Sequence, residues 1–128
     1  MDTMSIEATP DQPAGRIAGA RENARAFLER VGPIEDAAAD TVILVVSELV
    51  TNAVRHGGGT YTLDLAAHPD SIEVTVHDRS SKAPRMRTPD LNDGTGGFGW
   101  PMVNHLARST AVTRYPSGGK TVSALLPR

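Results

Sequence analysis

Ile17, Ala20, Ala24, Phe27, Leu28 and Val31 recur at steps of three and four, with arginines and glutamates between them. That period predicts a helix from Ala14 to Val31, which Gly32-Pro33 stops. A second helix is predicted from Ile34 or Glu35 to His56, ended by Gly57-Gly58-Gly59. Its first turns, around Val42 to Val46, are apolar on every side and read as buried against more than one neighbour. The runs Tyr61 to Ala66 and Ser71 to Val76 alternate as strands do, and His68-Pro69-Asp70 turns the chain between them, so the two pair antiparallel. Arg79 to Asp93 is charged and aperiodic and reads as an exposed loop. A short helix follows from Trp100 to Ala107, with Pro101 in its first turn. Strands near Thr110 to Tyr115 and Thr121 to Leu126 then flank Pro116-Ser117-Gly118-Gly119. Ahead of all these, residues 1–13 read as a polar arm with a short edge strand near Ser5 to Ala8. The sum is an α+β fold, with helices packed on one face of a mainly antiparallel sheet.

Composition narrows the classes. With 128 residues and 13.5 kDa, the chain reads as one domain, residues 14–128, behind its arm. Hydrophobic residues at 39% and charged residues at 22% exclude a disordered tail. The absence of cysteine excludes disulfides, thiolate metal sites and a cysteine nucleophile together, and is compatible with a reducing cytoplasm. A net charge of -2 argues against a generic nucleic-acid binder. The acids and proline of MDTMSIEATPDQP do not make a signal peptide, and no apolar run approaches the length of a membrane span. His56, His68, His77 and His105 form no HExxH spacing, which argues against a zinc enzyme.

Candidate chemistry begins inside the second helix. Glu48 and Asn52 stand four residues apart on one stripe, with Thr51 and Arg55 beside them, while Val46, Leu49, Val50 and Ala53 occupy the opposite arc. Burying an unpaired carboxylate and carboxamide costs several kcal/mol, so the stripe points to a cavity, a metal or a ligand. The plainer alternative is a solvated face on which Glu48 and Arg55 make weak surface pairs. Gly94-Thr95-Gly96-Gly97-Phe98-Gly99 matches the letters of a dinucleotide fingerprint, but it follows a loop, and no acidic residue occurs after Asp93. Gly119-Lys120-Thr121 looks like the end of a phosphate-binding loop, yet Arg114 stands where its first glycine belongs and no helix can follow. Both motifs are rejected. What remains is a glycine cluster leading into a helix start, where a backbone can approach a phosphate, or else a flexible surface loop.

Together the segments resemble a known family. Glu48-Leu49-Val50-Thr51-Asn52-Ala53-Val54-Arg55-His56-Gly57 resembles the N-box of the GHKL, or histidine-kinase-like, ATPase superfamily, and its His-Gly ending resembles the anti-sigma-factor serine/threonine kinase branch. Val76-His77-Asp78-Arg79-Ser80 resembles the G1 motif, Gly94 to Trp100 resembles G2, and Gly119-Lys120-Thr121 resembles the threonine-bearing last strand. The fold so implied is a two-layer sandwich of a mainly antiparallel mixed sheet with helices on one face. The resemblance further implies ATP and Mg²⁺ as ligands, with Asn52 on the metal and Glu48 as general base. It puts Asp78 on the adenine amino group with Thr121 in support, and makes Arg55 a phosphate contact. Gly94, Gly96, Gly97, Phe98 and Gly99 would form a lid over residues 79–99, with Trp100 starting the helix beneath it. Arg79-Ser80-Ser81-Lys82 in place of G1 glycines, Trp100 in place of a small aliphatic residue, and Pro101 depart from the pattern.

The function implied is a cytoplasmic, ATP-dependent protein serine/threonine kinase of the anti-sigma-factor type. It would phosphorylate a serine-bearing antagonist protein and sequester a sigma factor, without direct nucleic-acid or membrane contact. The alternative is a nucleotide-dependent binding module without efficient phosphotransfer, which the motif departures favour. A sensor histidine kinase is disfavoured, because the N-terminal region holds one short helix and no phospho-accepting hairpin. The reading leaves a homodimer open.

Overall fold

In the computed structural model, which describes residues 2–12, 15–56, 60–79 and 99–128, five strands form one sheet in the order β1-β2-β3-β5-β4. In chain order the elements are β1 (Thr3–Ala8), α1 (Ile17–Arg30), α2 (Asp36–His56), β2 (Tyr61–Ala67), β3 (Ser71–Asp78), α3 (Gly99–Leu106), β4 (Ser109–Arg114) and β5 (Lys120–Pro127). Among the described residues, all four strand pairings are antiparallel. The segment read as an arm supplies β1, whose six residues pair with β2 from Thr3↔Ala66 to Ala8↔Tyr61. Of the lid expected over 79–99, residues 80–98 lie outside the described residues.

Strand alternation places the core. Leu63 and Leu65 of β2, Ile72, Val74 and Val76 of β3, and Val122, Ala124 and Leu126 of β5 are buried together on one side. Helix α2 lies against β2, β3 and β5 on that side, α1 packs on α2, and α3 packs between α2 and β4–β5. Val42, Val45, Val46, Val50 and Ala53 of α2 are fully buried. By length and composition α2 could cross a bilayer, with mean hydropathy 1.5 over Asp36–Arg55. Its burial as the central core helix accounts for that apolarity. The other side of the sheet carries half-buried polar positions such as Thr62, Asp64, Thr75, His77, Thr121 and Ser123.

Candidate functional site

Helix α2 carries a polar group into the core. Asn52 is 6% exposed, and neither its Oδ1 nor its Nδ2 has a hydrogen-bond partner. Each buried polar atom left unmade costs about 1–3 kcal/mol, so an orphaned carboxamide is expected only where something else satisfies it. Glu48 lies one helical turn earlier on the same stripe and is half-buried. Arg55, near the end of α2, is exposed. Thr51 is used locally, its Oγ1 donating to the Ser47 carbonyl at 2.6 Å. The carboxamide fits a hard cation such as Mg²⁺, which accepts an amide oxygen and takes its remaining ligands from phosphates and water.

At the end of β3 the site departs from the expectation. Asp78 pairs in register with Lys120, the first residue of β5, and register partners share a face. The Lys120 ammonium lies 2.8 Å from one Asp78 carboxylate oxygen and 3.0 Å from the other. Both side chains are 2% exposed. Thr121, expected beside Asp78, belongs to the opposite face of the sheet. There it pairs with His77, its Oγ1 2.7 Å from His77 Nδ1 and 2.7 Å from the Tyr115 hydroxyl. The other His77 ring nitrogen lies 2.8 Å from the Asp64 carboxylate. A one-residue step along a strand exchanges its faces, and that step separates Thr121 from Asp78. The parity of Val122, Ala124 and Leu126, all apolar, was the available signal: Lys120 shares it and Thr121 does not.

The turn before β5 is tight. The Tyr115 amide donates to the Gly119 carbonyl at 3.0 Å, and the Gly118 amide to the Tyr115 carbonyl at 2.9 Å. Gly119 holds φ +90°, and a Cβ there would sit 2.8 Å from the Asp78 carbonyl oxygen. At this end of the sheet a cavity of about 160 Å³ is lined by Glu7, Thr60, Tyr61, Thr62, His77, Asp78 and Arg79. Tyr61 is buried, which pushes its phenol pKa up, and its hydroxyl donates to the Gly15 carbonyl at 2.8 Å.

Gly99 opens α3 with φ +46°, a conformation glycine tolerates, and is buried. Trp100 is half-buried and packs against the core, and its carbonyl accepts from Asn104 Nδ2 at 2.9 Å. Gly94, Gly96, Gly97 and Phe98 lie outside the described residues. The described residues thus bring Glu48 and Asn52 onto one stripe and place Asp78 with Lys120 at the end of strands against which α2 packs.

The described residues thus form a sheet-and-helix sandwich with an amide buried in its central helix and a carboxylate at a strand end. The chain belongs to the histidine kinase-like ATPase domain family, whose profile matches residues 9–125. No curated relative matches this sequence. Among solved structures it is similar to the RsbU and RsbW domains of Rv1364c from Mycobacterium tuberculosis, with a TM-score of 0.70 at 20% identity, covering 100% of this chain and 33% of that one. It is also similar to the histidine kinase domain of the E. coli osmosensor EnvZ, with a TM-score of 0.51 at 19% identity, covering 99% and 88%. Likeness at these identities is one of fold. The chain spans about a third of the length of the mycobacterial two-domain chain it matches.

Proposed function

We propose that the protein is an ATP-binding regulator that transfers the γ-phosphate of ATP to a serine or threonine of an antagonist protein, and that it separately sequesters a sigma factor in the cytoplasm. The observation that carries this is the buried, unpartnered carboxamide of Asn52, one turn after Glu48 on the same helix. A chain that keeps such a group in its core gains from it only when a ligand is bound. The RsbW domain of the similar mycobacterial structure supports the choice of branch.

In this reading Asn52 holds Mg²⁺ through its amide oxygen; bound there, the metal would neutralise charge on the triphosphate. Glu48 orients the acceptor hydroxyl and takes its proton as the hydroxyl oxygen bonds to the γ-phosphorus and the bond to the bridging oxygen breaks, releasing ADP. Phosphoryl transfer asks a protein mainly for positioning and charge stabilisation, which suits so small a site. Arg55 contacts phosphate from the exposed end of α2, and Gly94, Gly96, Gly97, Phe98 and Gly99 close over it. Trp100 starts the helix beneath, and Asp78 accepts from the adenine amino group. A pair of such chains can associate as a homodimer.

The test is incubation with labelled ATP, Mg²⁺ and serine-bearing antagonist candidates. Label should pass to the antagonist from the native chain, and Glu48→Gln should abolish transfer while ATP binding survives. Unchanged transfer by that variant would remove Glu48 from the role of base. The second reading, a nucleotide-dependent binding module, is favoured by Pro101, which deprives the first turn of α3 of one N–H donor. Nucleotide-dependent partner binding with no phosphorylated product would select it.

A further inference from the structure

We propose that the groove between the end of α1 and the start of α2 is a docking site for a basic amphipathic helix of a partner protein. It lies toward the opposite end of α2 from Asn52, with Asp40 about 18 Å away along the helix axis, and it does not depend on the nucleotide reading.

Three observations carry it. The groove is open and apolar at its floor. A cavity of about 400 Å³, within the size range of ligand sites, is floored by Leu28 of α1, Ile34 of the connection, and Ala39 and Ile43 of α2. Leu28 is buried, but Ile34, Ala39 and Ile43 are only half-buried, which leaves apolar surface facing the groove. Pro33 and Ile34 also line a second hollow of about 440 Å³ beside it, so the concavity is elongated. The rim is acidic. Glu29, Asp36 and Asp40 stand exposed on it against a single base, Arg25. Among the described residues none of these four makes an ion pair, although Arg25 and Glu29 are one turn apart on α1. Finally, the helix ends do not account for the charges. Asp36 is favoured in the first turn of α2, but Glu29 stands in the last turn of α1, where the helix dipole disfavours a carboxylate, and Asp40 lies beyond that first turn.

The chemistry of the occupant follows. Large apolar side chains fill the floor, and the lysines or arginines flanking them meet the three carboxylates of the rim. Every residue lining the groove comes from a helix or from the connection between helices, so no strand edge is on offer to an extended peptide. The bound segment must satisfy its own backbone, which an amphipathic helix does while presenting anchors at steps of three and four. A segment with acids in place of the bases meets like charge on the rim.

The experiment is an NMR titration of the isotope-labelled full chain with a synthetic peptide of about five helical turns, leucines at steps of three and four and lysines elsewhere, and with its glutamate counterpart. The lysine peptide should bind saturably, with the largest shifts at Leu28, Ile34, Ala39 and Ile43, and the glutamate peptide should bind at least about ten-fold more weakly. Asp40→Lys, at an exposed position, should weaken the lysine peptide about ten-fold, and Ala39→Gln, which puts a polar side chain on the floor, should weaken it as well. If either variant does not fold, the shift map on the native chain still decides. Shifts centred elsewhere on the molecule, equal affinity for the two peptides, or no saturable binding overturns the inference. Self-association of the native chain that Ala39→Gln abolishes also overturns it, in favour of a second copy as the occupant. Uptake of MgATP by Asp40→Lys should match that of the native chain, so the nucleotide reading stands or falls separately.

Discussion

Asn52 shows what a buried, unpartnered carboxamide costs a folded chain. Its two amide atoms are desolvated inside α2 and receive nothing in return. Asn52→Leu should therefore stabilise the ligand-free protein by about 1–3 kcal/mol, seen as a higher urea midpoint; on the proposed function MgATP should raise the midpoint of the native chain and not that of the variant. A lower midpoint for the variant would show that the carboxamide has a structural partner after all. Tyr61 poses the opposite case, a buried polar group that is satisfied. Tyr61→Phe loses the bond to the Gly15 carbonyl, worth about 1 kcal/mol at pH 8. The pH dependence follows from the raised phenol pKa. An unfolded tyrosine ionises as pH passes its ordinary 10.0 while the folded one keeps its proton, so stability is whole below that pH and is lost as pH rises through the folded pKa. The gap between native chain and variant should narrow above pH 10, measured as urea midpoints at pH 8 and at alkaline pH.

Among the elements, β5 and the turn that starts it decide the most. Gly118 and Gly119 both adopt left-handed φ, at +96° and +90°, but only Gly119 approaches the Asp78 carbonyl. Gly118→Ala should cost about 1–2 kcal/mol from backbone strain alone. Gly119→Ala should cost clearly more, because a carbonyl oxygen cannot move aside without breaking the β3–β5 ladder. Equal losses in chemical denaturation would show that the close approach carries no weight. This turn also sets which residue of β5 stands in register with Asp78. Beginning the last strand at Thr121 rather than Lys120 puts the right residues in a strand, yet the side chain beside Asp78 depends on which one faces inward.

Across the whole molecule, the last residue ties distant parts together. The Arg128 guanidinium donates to the Val31 carbonyl at 2.9 Å and to the His68 carbonyl at 3.0 Å, joining the end of α1 to the β2–β3 turn. Arg128→Ala should lower stability by about 1–2 kcal/mol, read as a fall in the denaturation midpoint. The tie lies apart from Asn52 and Asp78, so nucleotide affinity should stay unchanged in the same preparation. Such contacts span 97 and 60 residues along the chain, and no local pattern announces them.

The sequence by itself determined the elements. Periods of three to four and of two, glycine and proline stops, and the Glu48–Asn52 spacing are local signals, written within one helix or strand. They set helix, strand and stripe to within a few residues, because hydrogen bonding and side-chain direction there depend on near neighbours. The tertiary structure alone decided which strands adjoin, that β5 enters between β3 and β4, and that Lys120 rather than Thr121 meets Asp78. The same holds for the Asp64–His77–Thr121–Tyr115 chain of hydrogen bonds on the face of the sheet away from α2. These depend on register between segments far apart in the chain, and a shift of one residue there exchanges the two faces of the sheet.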